Sequence, residues 1–158
     1  MTATQMFLDL WAKEGAATRA VISRIPEGSG YRPDPKSRTA REVAWVLVLE
    51  ANQLVDALER GSIDWQDVPP PATVADVLAE FDKQRDAHLA RLRAIPESRW
   101  AGHVEMLYQG AVVSKSTTTE MAFGFLLDMI HHRGQLTTYL RPMGSTVPQV
   151  YGPTADEP

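Results

Sequence analysis

Apolar residues recur every three or four positions in four stretches of the chain, and this period predicts four long helices. The predicted helices span residues 4–25, 39–60, 73–95 and 117–141, and a proline or a glycine follows each of them directly. Both residue types end helices. Helices with one apolar stripe bury that stripe by packing against one another. The pattern therefore predicts an all-α four-helix bundle in a single domain over residues 1–158.

Two of the predicted helices begin with the capping pattern T-x-x-E. Thr39 and Glu42 stand at the start of the second helix, and Thr117 and Glu120 stand at the start of the fourth. In this pattern the threonine hydroxyl and the glutamate carboxylate bind backbone amides that the first helical turn leaves unpaired. Both pairs therefore indicate where their helices start.

The segments outside the four helices carry weaker signals. Val104, Met106 and Tyr108 alternate with other residues, and this alternation predicts a short hairpin before the last long helix. Residues 149–158 are expected to form an extended C-terminal tail. Arg133, on the last predicted helix, is expected to pair with an acidic residue or with this tail.

Charge and composition argue against several classes of function. The 16 Lys and Arg residues and the 20 Asp and Glu residues give a formal net charge of −4, whereas nucleic-acid binding needs a basic surface. The longest apolar run, residues 43–49, is far shorter than the roughly 20 residues of a membrane span. The chain has no cysteine, which excludes disulfides and a catalytic thiol. We expect a cytoplasmic protein that binds neither nucleic acid nor membrane.

Polar side chains interrupt the apolar stripe of the last predicted helix. Asp128 and His132 are four residues apart, so they lie one turn apart on the same face as Met121, Phe125 and Leu136. This spacing allows one helix to offer two ligands to a single divalent ion. Hydrogen-bonded pairs in which a carboxylate orients an imidazole have the same spacing, and the sequence leaves both interpretations open.

A third ionisable residue interrupts the apolar stripe of the second predicted helix. Glu50 follows Val43 and Val46 on that stripe and precedes Leu54. A carboxylate that is buried alone costs several kcal/mol or is forced into its neutral form. Glu50 therefore needs a cation, a hydrogen-bond donor or water, unless it lies at a solvated boundary.

Two segments of the chain resemble the DinB-like family. The block His132-Arg133-Gly134-Gln135 is similar to the end of the family motif H-x-x-x-H-R-G-Q, and residues 41–45 are similar to its E-[LIV]-A-W-H segment. The resemblance implies a four-helix bundle, often dimeric, with a central divalent-metal site that three histidines hold. Characterised relatives include thiol-dependent S-transferases and a mycothiol-dependent isomerase, and many members have no known activity.

The chain departs from this family pattern at two of the three ligand positions. Val46 stands at the position of the helix-two histidine, Asp128 stands at the position of the first histidine of the last helix, and His132 is retained. Asp128 can bind a metal directly, and Glu50 leans from the next turn toward the level of Val46. We expect either a rebuilt site of Glu50, Asp128 and His132 that holds zinc, nickel or manganese, or a site without metal in which the carboxylates bond to His132, Gln135 or water.

Two functions from different classes fit these observations. The first is a metal-dependent enzyme of the thiol-linked transferase type, which acts on a small molecule next to an altered metal site. The second is a catalytically inactive binding or interaction module that retains the bundle without metal. The resemblance further implies a homodimer, and the expected ligand is a small molecule or a thiol.

Overall fold

Four long helices form most of the structure. The computed structural model describes residues 1–158. The long helices are α1 (Ala3–Ile22), α2 (Ala40–Arg60), α3 (Val74–Ala94) and α5 (Thr118–Leu140), and a short helix, α4 (Glu97–Trp100), follows α3. The four helices predicted from the hydrophobic period are therefore confirmed. The first one ends at Ile22, a few residues before its predicted end.

Both predicted capping boxes are formed, and they set the starts of the two helices that carry the ionisable residues. The Thr39 side chain accepts a hydrogen bond from the Glu42 amide, and the Glu42 side chain accepts one from the Thr39 amide. Thr117 and Glu120 form the same reciprocal pair at the start of α5. At the other end of α2, Gly61 has a φ of 84°, a left-handed conformation that favours glycine.

A three-stranded sheet lies beside the helices, so the prediction that the chain is all-α is wrong. The strands are β1 (Ser62–Trp65), β2 (His103–Tyr108) and β3 (Ala111–Thr117). The order in the sheet is β1-β2-β3, with β1 parallel to β2 and β2 antiparallel to β3. β3 runs directly into α5, because Thr117 is both its last residue and the N-cap of the helix.

The predicted hairpin is confirmed in β2 and β3. A two-residue turn connects these strands, with Gln109 at a φ of 52° and Gly110 at a φ of 78°. Positive φ at both turn residues gives the backbone twist that joins two antiparallel strands most tightly. Trp65 at the end of β1 pairs with Tyr108 at the end of β2, so all three strands contribute to the side of the sheet next to α5.

The apolar core lies between the helices. α2 contacts α3 and α5, and α1 contacts the same two helices. β1 and β2 also contact α2, so this helix has neighbours on several sides. This position explains why its sequence is almost continuously apolar between Val43 and Leu49, and why Glu50 is carried into the interior.

The C-terminal residues fold back on the helices through a polar cluster of Arg133, Glu14 and Tyr151. Arg133 of α5 donates to the Glu14 carboxylate of α1 at 2.5 Å, and both side chains are almost fully buried. The Tyr151 hydroxyl donates to the same carboxylate at 2.8 Å and accepts a hydrogen bond from Arg133. The expected pairing of Arg133 with an acidic residue or the tail is confirmed, since it contacts both.

Candidate metal centre

α2 and α5 bring the three predicted ligand residues together. One ligand atom from each of Glu50, Asp128 and His132 lies within 4.8 Å of the other two. His132 Nε2 lies 3.4 Å from Glu50 Oε1 and 3.7 Å from Asp128 Oδ2. Because α2 packs against α5, the polar residues that interrupt their apolar stripes meet in one cluster that could hold a metal ion.

The three side chains lie at different depths. The Glu50 side chain is 5% exposed, the His132 side chain 15% and the Asp128 side chain 57%. Asp128 and His132 lie one turn apart on α5 and differ by about 40° around its axis. His132 therefore faces the interior, whereas Asp128 faces solvent. The cluster is therefore closed on the α2 side and open on the side of Asp128.

Glu50 has a buried oxygen without a partner. Its Oε2 atom is inaccessible to solvent and receives no hydrogen bond. Burial raises the pKa of Glu50, and the nearby charge of Asp128 adds to this effect, whereas His132 opposes it. A buried, unpaired carboxylate oxygen is unfavourable, because it has lost its hydration without gaining a donor. A cation between Glu50 and His132 would remove this deficit, so the donor set fits a divalent ion.

The orientation of His132 also fits metal binding. Its Nδ1 atom lies 2.9 Å from Gln135 Oε1, and an amide oxygen only accepts, so Nδ1 carries the proton. Nε2 then faces the two carboxylates, where it needs either a second proton or a metal ion. The contact with Glu50 raises the pKa of His132, and the bond to Gln135 acts in the same direction. Metal-binding histidines are typically oriented by such a hydrogen bond on their other nitrogen.

The remaining histidines lie outside the cluster. His88 of α3 is buried, and its Nε2 bonds to Asn52 Oδ1 at 2.7 Å. His103 is exposed at the start of β2. His131 is exposed on α5 and accepts a hydrogen bond from the Gln135 side-chain amide at 2.9 Å. Gln135 therefore connects two neighbouring imidazoles, one inside the cluster and one at its edge.

A groove of about 750 Å³ opens beside Glu50 and Asp128. Its walls come from α5 and from the sheet, with Trp65 on β1, Ser114 on β3 and Phe125 on α5. The ring centroids of Trp65 and Phe125 are 6.3 Å apart. Sequence reasoning missed this groove, because its sheet-side wall includes β1, a strand of only four residues that was not predicted. The open side of the cluster thus faces a space large enough for a small molecule.

None of the helices combines the length and the apolar character that crossing a membrane would require.

Comparison with known proteins shows one consistent similarity. The family model described as the DinB family matches residues 1–158. The uncharacterized protein YrdA of Bacillus subtilis is 22% identical over 153 residues, which cover 96% of this chain and 89% of YrdA.

Two crystal structures show the same fold. The DinB-like protein YjoA of Bacillus subtilis has a TM-score of 0.73 and 18% identity, and the alignment covers 92% of this chain and 96% of YjoA. A DinB-like protein of Bacillus cereus has a TM-score of 0.75 and 20% identity, with 92% and 95% of the two chains covered.

Proposed function

Since this chain belongs to the DinB family, we propose that it binds a divalent metal ion through Glu50, Asp128 and His132. The single observation that carries the proposal is the buried Glu50 Oε2 atom, which has no partner although it lies in a cluster of three potential ligands. Two carboxylates and one imidazole suit zinc, nickel or manganese, and they favour a harder ion than three imidazoles would.

We propose that the bound ion serves a reaction of a small molecule, of the thiol-linked transferase type. When bound, such an ion supplies Lewis acidity and lowers the pKa of a thiol or water. The protein's own residues have separate tasks. Glu50 anchors the ion from the interior, Gln135 holds the His132 ring with Nε2 directed inward, and Asp128 borders the groove. Trp65 and Phe125 provide an apolar wall that excludes water from one side of the ligand.

Metal analysis of protein purified without a histidine tag tests the metal proposal. We expect one equivalent of zinc, nickel or manganese to bind after incubation, as measured by mass spectrometry of the metal and by titration calorimetry. Glu50→Gln and Asp128→Asn should each weaken binding at least about tenfold. Asp86→Asn is the matched control, because the Asp86 side chain is 83% exposed and pairs with Arg85 outside the cluster. Binding that survives both site substitutions would overturn the proposal.

A specific observation favours a second candidate function, a binding module without metal. His132 Nε2 lies within 3.7 Å of both carboxylates. A doubly protonated His132 could therefore supply the positive charge that the metal ion would otherwise supply. Val46, one turn before Glu50, offers no donor atom at the position of the family histidine. If no divalent metal binds and none raises the melting temperature, this second function stands and the first is wrong.

We also propose that the protein is a homodimer in the cytoplasm. Apolar side chains on the surface support an interface, since Val113 is 58% exposed and Leu127 is 65% exposed. Light scattering of the purified full chain tests the dimer. A monomer at micromolar concentration would contradict it.

A further inference from the structure

The lining of the groove is rich in carboxylates. Glu50, Asp128 and Glu120 contribute them, His131 lies in the same lining, and the lining contains no lysine or arginine. The capping bonds from Thr117 lower the pKa of Glu120, so this carboxylate is ionised at neutral pH. With a divalent ion bound to Glu50 and Asp128, Glu120 still leaves one negative charge at the far end of the groove.

The basic side chains nearby point elsewhere. Ser114 and Ser116 face the groove from β3, whereas Lys115, between them, lies on the other face of the strand and bonds to Glu105 at 2.9 Å. Two further cations, Lys36 and Arg38, line a second cavity of about 420 Å³, which reaches the cluster at His132 and includes neither Glu50 nor Asp128. An anionic ligand would therefore find neither a lysine nor an arginine in the groove.

The groove has two ends with different chemistry. Glu120 and Asp128 are eight residues apart on α5, which corresponds to about 12 Å along the helix axis. Gly124 lies midway between them, and the space where a Cβ atom would stand is open. The Trp65 and Phe125 rings line the same middle section. An extended apolar chain could lie over Gly124, with one end at the metal cluster and the other at Glu120.

We infer that the groove binds an extended ligand with a metal-binding group at one end and a protonated amine at the other. The amine pairs with the Glu120 carboxylate, and the apolar body packs on Trp65 and Phe125. The inference rests on the proposed metal site, because the ion holds the first end of the ligand.

Three linear probes that differ only at their far end test the inference. Octanoate, aminooctanoate and octanedioate each offer one carboxylate to the ion, and their other ends are a methyl group, an ammonium group and a second carboxylate. Calorimetry with the zinc-loaded protein should give the tightest binding for aminooctanoate and the weakest for octanedioate. We expect a preference of roughly threefold for aminooctanoate over octanoate, as suits an exposed ion pair.

Two variants connect the preference to the groove. Glu120→Gln removes the charge but keeps the capping box, because glutamine also caps in this position. It should abolish the difference between aminooctanoate and octanoate and leave zinc binding unchanged. Gly124→Leu fills the middle of the groove from an open position and should weaken all three probes, again without loss of zinc.

The outcomes separate this inference from the proposed function. If zinc binds but octanedioate binds as tightly as aminooctanoate, the inference is wrong and the metal site stands. A preference for aminooctanoate that persists in Glu120→Gln would also overturn it, since Glu120 would not be its cause. If zinc does not bind to the protein at all, both the proposed function and this inference fail.

Discussion

Buried His88 should make the free energy of unfolding depend on pH between about 4 and 6.5. Burial lowers the pKa of this imidazole from 6.5 to about 4, and the charge of Arg91 adds to the effect. The unfolded chain therefore takes up a proton at His88 before the folded protein does. The stabilisation is fully present above the unfolded pKa and is lost as the pH falls toward the folded one. Between pH 7.5 and pH 5 the loss is about 2 kcal/mol.

Urea unfolding of the metal-free protein at these two pH values measures the loss. The carboxylates contribute equally to the pH dependence of the parent protein and of a His88→Gln variant. The difference between the two losses in free energy of unfolding therefore isolates the contribution of His88. We expect the variant to be less stable at pH 7.5 but to lose about 2 kcal/mol less than the parent on going to pH 5. His103→Gln is the matched control, because it removes an exposed imidazole instead of a buried one. Equal losses in parent and His88→Gln would refute the reasoning.

Three further substitutions have defined outcomes. Arg133→Met should lower the free energy of unfolding by about 3 kcal/mol, because it leaves the Glu14 carboxylate buried without its cation. Urea denaturation measures this loss, and a change under about 1 kcal/mol would contradict the prediction. Gln135→Leu should weaken zinc binding in calorimetry about tenfold by releasing the His132 ring, and unchanged affinity would show that the hydrogen bond is dispensable. Gly61→Ala should lower the melting temperature, since it forces a side chain into a φ of 84°, whereas Gly30→Ala, at an open position, should not.

The sequence predicted what depends on local order along a helix. The period of apolar positions and the capping boxes located the long helices, and the interruptions at Glu50 and Asp128 marked side chains that the structure brings into one cluster. β1 escaped prediction because its alternation of polar and apolar residues covers only four positions, and its partner strand follows only after α3. The groove was missed for the same reason, since Trp65 approaches Phe125 only because β1 pairs with β2, a segment distant from it in the chain.

β3, which forms part of the groove wall, continues without a loop into α5, the helix that carries Asp128 and His132. Each extra residue inserted next to Thr117 would turn the rest of α5 by about 100° around its axis, while β3 kept its pairing with β2. Asp128 would then no longer face the same way relative to Ser114. Extra residues at the turn of Gln109 and Gly110 would leave both in place. A peptide label is therefore best accommodated at the hairpin tip, where it reports on the protein without altering the geometry of the pocket.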